Sequence, residues 1–187
     1  MLGIMLIDMQ ENYTIKEKEN LISAQIKLLD YASKKKIPVF TLEYIREGKT
    51  IPELQEPLKK VNNHFIKKYN DNAFIKLTNK YLSLHLKDVS EEYILFGDEW
   101  NEKAPDNKML KTLLKKNKIN TLILTGIYKC GCVFKTAKGA KKRGYEIFTS
   151  DELMDEPKTY YGWYPEKSNH YKTLDELIKR VDSLNIN

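Results

Sequence analysis

The stretch Thr121-Leu-Ile-Leu-Thr-Gly-Ile-Tyr-Lys-Cys-Gly-Cys-Val-Phe-Lys-Thr-Ala137 constrains the fold more than any other. Leu122-Ile-Leu124 is a continuous apolar run, the pattern of a parallel strand covered on both faces. From Val133 the apolar side chains fall at Val133, Ala137 and Ala140, one face of a helix, and Gly144 supplies the stop. Cys132 stands where the strand has ended and the helix begins. A thiol there faces unpaired backbone N–H groups and the positive end of the helix dipole, and both favour thiolate. The same N–H groups suit an oxyanion. The opposing expectation is an inert, buried cysteine acting as a small hydrophobe.

The rest of the chain repeats this alternation. Gly3-Ile-Met-Leu-Ile-Asp8 is a buried strand ending on a carboxylate. That places Asp8 at the C-terminal edge of a sheet, where α/β proteins keep their ligands, unless it merely caps a turn. From about Glu17 to Lys36, Leu21, Ile22, Ile26, Leu28, Leu29 and Ala32 line one helical face. Val39-Phe-Thr-Leu42 follows Pro38 as a second strand, and strand, helix, strand calls for a parallel sheet with right-handed crossovers. Gly48, Pro52 and Pro57 mark residues 44–62 as a loop with a short helix at most.

His64-Phe-Ile-Lys-Lys68 is a short third strand that ends on charge. Over residues 74–105 the pattern is divided: Phe74, Leu77, Tyr81 and Leu84 suit a helix, whereas Leu82, Leu84 and Leu86 alternate as a strand does. Tyr93-Ile-Leu-Phe96 reads as a further strand, before a polar stretch around Trp100. Asp106 is the expected cap of a helix bearing Met109, Leu110, Leu113 and Leu114. Tyr145-Glu-Ile-Phe148 is another strand, and Thr173-Leu-Asp-Glu176 is a capping box opening a helix with Leu174, Leu177, Ile178 and Val181. The expected architecture is one α/β domain over residues 1–187: three layers, doubly wound, a mostly parallel sheet with helices on both faces.

Composition narrows the function classes. An apolar share of 41% and a charged share of 31% are those of a soluble globular protein, and no apolar run reaches membrane-span length. With a strand starting almost at Met1, no leader segment is expected. The two cysteines, Cys130 and Cys132, are too few for a disulfide scaffold, so a reducing, cytoplasmic setting is expected. The net charge of +6 comes from lysine clusters at the ends of expected helices, where cations complement the dipole. Neither a nucleic-acid nor a membrane partner is therefore expected.

Three segments together resemble a known family. Leu6-Ile-Asp8-Met-Gln10 resembles the opening of the isochorismatase-like cysteine hydrolases. Lys68-Tyr-Asn-Asp-Asn-Ala-Phe74 is similar to their lysine segment, and Gly126 through Cys132-Val133 to Thr136-Ala137 is similar to their nucleophile segment. The resemblance implies an Asp–Lys–Cys triad at Asp8, Lys68 and Cys132. It also implies a cis peptide at Ile127–Tyr128, with an oxyanion hole from the N–H groups of Tyr128 and Cys132. Lys68 is preferred to Lys67 because its distance to Ala73-Phe74 fits the family and because alternation sends Lys67 to the opposite face.

The chain departs from the family pattern at several points. Nicotinamidases of the family carry an Asp-x-His metal motif after the second strand, where this chain reads Leu42-Glu43-Tyr44-Ile45-Arg46. His64, His85 and His170 show no ligand spacing, so no metal and no cofactor are expected. Roughly thirty residues over about 75–105 have the look of an insertion by ordinary loop lengths. Cys130-Gly131 precedes the nucleophile where other residue types are common.

The chemistry implied is cleavage of a non-peptide C–N bond in a small amide, ureide or carbamoyl compound. Asp8 serves as proton acceptor and donor, Lys68 stabilises the anions, and Cys132 forms a thioester. The alternatives are an isochorismatase-type vinyl-ether hydrolase, in which the thiol is dispensable, and a catalytically silent binding protein. Candidate pocket walls are Phe74, Tyr44, Trp100 and Tyr128, with Tyr160-Tyr-Gly-Trp-Tyr164 serving as wall or as subunit contact. The resemblance implies a homo-oligomer.

Overall fold

In a computed structural model, residues 1–15, 17–45, 47–76, 105–155 and 169–184 are described. In chain order the elements are β1 (Leu2–Ile7), α1 (Lys18–Lys35), β2 (Val39–Tyr44), α2 (Pro52–Lys59) and β3 (Asn63–Lys68). They continue with α3 (Lys108–Lys116), β4 (Thr121–Ile127), α4 (Phe134–Lys141), β5 (Glu146–Ser150), β6 (Met154–Asp155), β7 (His170–Tyr171) and α5 (Leu174–Ser183). The sheet runs β3-β2-β1-β4-β5-β7, with β6 paired to β4, and every pairing is parallel. The strand order reverses between β1 and β4, the position where doubly wound folds open a crevice at their strand C-termini.

Alternation along β1 decides the layering. Leu2, Ile4 and Leu6 face one apolar cluster with Leu21, Leu28 and Ala32 of α1, Leu54 and Leu58 of α2, and Leu174, Leu177 and Val181 of α5. Met5 and Ile7 face the other, with Leu110 and Leu114 of α3 and Ala137 and Ala140 of α4. Both faces of the sheet are thus covered, which is why β1 and β4 are buried along their whole length and show no polar alternation.

Element ends follow local chemistry. Lys36 takes a left-handed φ of 57° to close α1, and Thr173 with Glu176 forms the full capping box of α5. The expected cap at Asp106 is corrected. Asn107 caps α3, its side chain accepting from Leu110 N at 3.4 Å, while the Asp106 carboxylate is taken by Lys111 and Arg143. The short helix allowed within residues 44–62 is α2. Residues 74–76 and 105–107 are joined by Lys76 N to Pro105 O at 2.7 Å and Asn107 N to Phe74 O at 2.8 Å. The expected strand Tyr93–Phe96, Trp100, the undecided residues 77–86 and the cluster Tyr160–Tyr164 lie outside the described residues. No described helix is long and apolar enough to cross a membrane.

Candidate active site

Three strand ends meet at the crevice. Asp8 directly follows β1 and takes a left-handed φ of 54°, a conformation that aspartate tolerates better than most residues. Beside it β4 must pass very close: a Cβ at Gly126, whose φ is +131°, would lie 2.0 Å from Ile7 O, so no other residue fits there. The chain then turns through a cis peptide at Ile127–Tyr128 into the turn Lys129–Val133, which is kinked at Gly131 (φ −105°, ψ −108°) and runs into α4. Cys132 directly follows the kink at Gly131, two residues before α4, close to where the helical backbone begins.

Lys68, the last residue of β3, is fully buried and bonds Asp8 Oδ2 through its ammonium, which also lies 5.5 Å from the Tyr44 ring centre. Lys67 points the other way, 60% exposed, and reaches Glu43 at 3.3 Å. Asp8, Lys68 and Cys132 are near enough to shift one another's proton affinities. Burial pushes the Asp8 carboxyl up, and Lys68 reverses this only in part. Burial alone would depress Lys68, but Asp8 and then Cys132 outweigh it, so the ammonium is held charged. Asp8 Oδ1 is buried and has no hydrogen-bond partner among the described residues.

The expected thiolate at Cys132 is corrected. Burial pushes the thiol well up; Lys68 lowers it by less, and Asp8 and Asp71 add to the rise. A positive neighbour is present, as expected, but desolvation of a sulfur anion outweighs it. The Cys132 Sγ lies 3.5 Å from Asp71 Oδ1.

Asp71 is one of several neighbours that sequence reasoning passed over. Its Oδ2 pairs with Lys135 Nζ at 3.1 Å, and its carbonyl accepts from Lys68 Nζ at 3.5 Å and Thr136 Oγ1 at 3.2 Å. Thr136 Oγ1 also accepts from Ala73 N at 3.2 Å, tying the lysine segment to α4. Asp71 stands inside the segment singled out for Lys68, where a second carboxylate was visible but its direction was not. Gln10, fully buried, clamps the loop after β2: it accepts from Tyr44 N at 2.7 Å and donates to Tyr44 O and Gly48 O. Tyr13 carries no periodic signal, yet burial, then Asp8 and Cys132, push its phenol up, which places it beside the site.

Of the expected pocket residues, Tyr44 borders Lys68, and Tyr128 is half-buried, edge-on to Tyr13 with ring centres 5.7 Å apart. The Tyr128 hydroxyl donates to Thr14 O at 3.0 Å. Phe74 instead packs into the core, 2% exposed, between Tyr145 and the Arg143 guanidinium. The residues after β2 do not fit the family's metal. Glu43 spends its carboxylate on Thr50 N and Oγ1, at 3.0 and 2.9 Å, and on Lys67. Among the described residues no three His, Cys, Asp or Glu side chains gather to hold an ion.

The chain belongs to the isochorismatase family: the isochorismatase domain matches residues 3–159. No curated protein sequence matches it significantly. Among solved structures, the nicotinamidase of Staphylococcus aureus is 20% identical, with 84% of this chain and 86% of that one covered and a TM-score of 0.60. N-carbamoylsarcosine amidase of Thermoplasma acidophilum is 16% identical over 84% and 85%, with a TM-score of 0.60. An isochorismatase of Pseudomonas putida is 20% identical over 82% and 70%, with a TM-score of 0.57. At these identities the likeness is one of fold.

Proposed function

We propose that this protein is a cysteine hydrolase that cleaves a non-peptide C–N bond in a small amide, ureide or carbamoyl compound. The observation that carries this is Cys132 lying against the buried Asp8–Lys68 pair at the strand C-termini. Two fold neighbours named as amidases point the same way.

Burial pushes the Cys132 thiol up, so attack and proton loss go together. Asp8 takes the proton as Cys132 Sγ bonds the carbonyl carbon. Lys68 keeps its charge and offsets the negative charge passing between sulfur and carboxylate. The developing oxyanion is met by the N–H groups of Tyr128 and Cys132. Asp8 returns the proton to the departing nitrogen, then activates the water that hydrolyses the thioester. Tyr13, Tyr44 and Tyr128 form the aromatic side of the substrate space.

The test is ammonia release from a panel of primary amides, ureides and N-carbamoyl compounds. Wild type should turn over at least one, and Cys132→Ala none. Full activity in Cys132→Ala would overturn the assignment and favour a mechanism that dispenses with the thiol.

A further inference from the structure

Asp71 is not one of the three side chains assigned to catalysis, yet its carboxylate, like that of Asp8, lies against the sulfur. Cys132 Sγ stands 3.5 Å from Asp71 Oδ1, so a thiol proton has an acceptor there at rest. The carboxylate is held from both sides. Lys135, the second residue of α4, pairs with Oδ2 at 3.1 Å, and the Asp71 carbonyl is fixed by Lys68 and Thr136. Asn70 Oδ1 accepts from Asn72 N at 3.0 Å, closing the turn around Asp71. The position is also only partly dry: the Asp71 side chain is 23% exposed and that of Lys135 13%. Asp8, by contrast, has Oδ2 committed to Lys68 and also lies within reach of the Cys132 thiol.

We propose that Asp71 is a further catalytic residue, holding the Cys132 proton at rest through Oδ1, with Lys135 setting how strongly it does so. This rests on the cysteine-hydrolase assignment. While S–H donates to Asp71 the sulfur is a poor nucleophile, because thiolate rather than thiol reacts. Attack requires the S–H to turn from Asp71 to Asp8, the other carboxylate within reach of the thiol. The proton then passes to Asp8 as the Sγ–C bond forms and the carbonyl π pair moves to oxygen. The pairing of Asp71 with Lys135 keeps its charge from weighing fully on the sulfur. The ionisable groups around Cys132 are then Lys68 from β3, Asp8 after β1, Asp71 after β3, Lys135 from α4, and the Tyr13 and Tyr128 phenols.

The test needs no substrate. In a Cys130→Ser background, the rate at which methyl methanethiosulfonate modifies Cys132 is followed against pH in wild type, Asp71→Asn and Lys135→Met. Asp71→Asn removes a negative charge and the acceptor of the thiol proton, so the midpoint moves down. Modification at neutral pH should then be about tenfold faster, the change that one pKa unit makes in thiolate fraction. Lys135→Met leaves Asp71 uncompensated, so its midpoint moves up and modification slows. Circular dichroism of both variants checks the fold; a purely structural role would change unfolding without shifts of opposite sign. An unmoved midpoint in Asp71→Asn, or shifts of the same sign in both, would overturn the proposal. These outcomes are independent of turnover, so they are distinct from failure of the hydrolase assignment, which Cys132→Ala turnover decides.

Discussion

Asp8 and Lys68 keep 1% and 0% of their side chains exposed, whereas Asp71 and Lys135 keep 23% and 13%. Both pairs border the same sulfur, and both join a carboxylate to an ammonium from a different element. In the dry pair each charge has little but the other to replace its lost hydration, so the two are bound to act as a unit. The half-wet pair shares its solvation with water, so its effect on the sulfur is a matter of degree. Burial, rather than residue type, separates a device that fixes charge from one that tunes it.

The largest expected effect comes from breaking the dry pair. Lys68→Met leaves a buried carboxylate without its partner and should cost about 3–5 kcal/mol in urea denaturation at neutral pH. The Asp8 carboxyl is raised by burial and would rise further, so the penalty should shrink as pH falls and Asp8 takes up a proton. A loss below about 1 kcal/mol would place this pair with ordinary surface pairs and dissolve the contrast.

Next comes activity. Asp8→Asn should lower kcat/KM by about 10²–10⁴, the usual worth of a positioned acid–base group. In wild type the acid limb of the pH–rate profile should lie above the ordinary aspartate range, near about 3.9, because the base form of a carboxyl raised by burial is required. An acid limb at or below that value would show that Asp8 is not the group titrating.

Smaller effects sharpen the other end. Lys135→Met should cost about 1 kcal/mol or less of stability, as expected of a partly exposed pair. Lys35→Gln removes the 2.9 Å pair with Asp182, whose side chains are 52% and 44% exposed. It should change stability by about 0.5 kcal/mol at most, and less at high salt. A ranking in which Lys35 outweighs Lys68 would contradict the role given to burial.

The parts of the fold legible in sequence are those encoded by neighbours along the chain. β1 and β4 declare themselves by unbroken apolar runs, and α5 by Thr173 and Glu176 three residues apart. The direction of Lys67 and Lys68 follows from strand alternation alone. Caps are harder: Asp106 and Asn107 are both good capping residues, and only the bonds of Asn107 Nδ2 to Lys67 O and Ala73 O select it. Asp71 and Tyr13 were illegible because their importance comes from what α4 and the loop after β1 bring alongside them. The direction in which the Cys132 thiol is pushed is hidden in the sequence for a related reason. Nearby charge can be guessed from spacing, but the depth of burial that outweighs it depends on the packed whole.

The central claim is that Cys132 carries the acyl group, and rapid acid quench with peptide mass mapping addresses it most directly. Wild type, mixed with the amide or ureide it turns over, should show one hydroxylamine-labile acyl adduct on the peptide containing Cys132, assigned by fragmentation to Cys132 and not Cys130. Asp71→Asn should still form it, and Cys132→Ala should not. An adduct on Cys130, or steady turnover in Cys132→Ala with no adduct anywhere, would contradict the account.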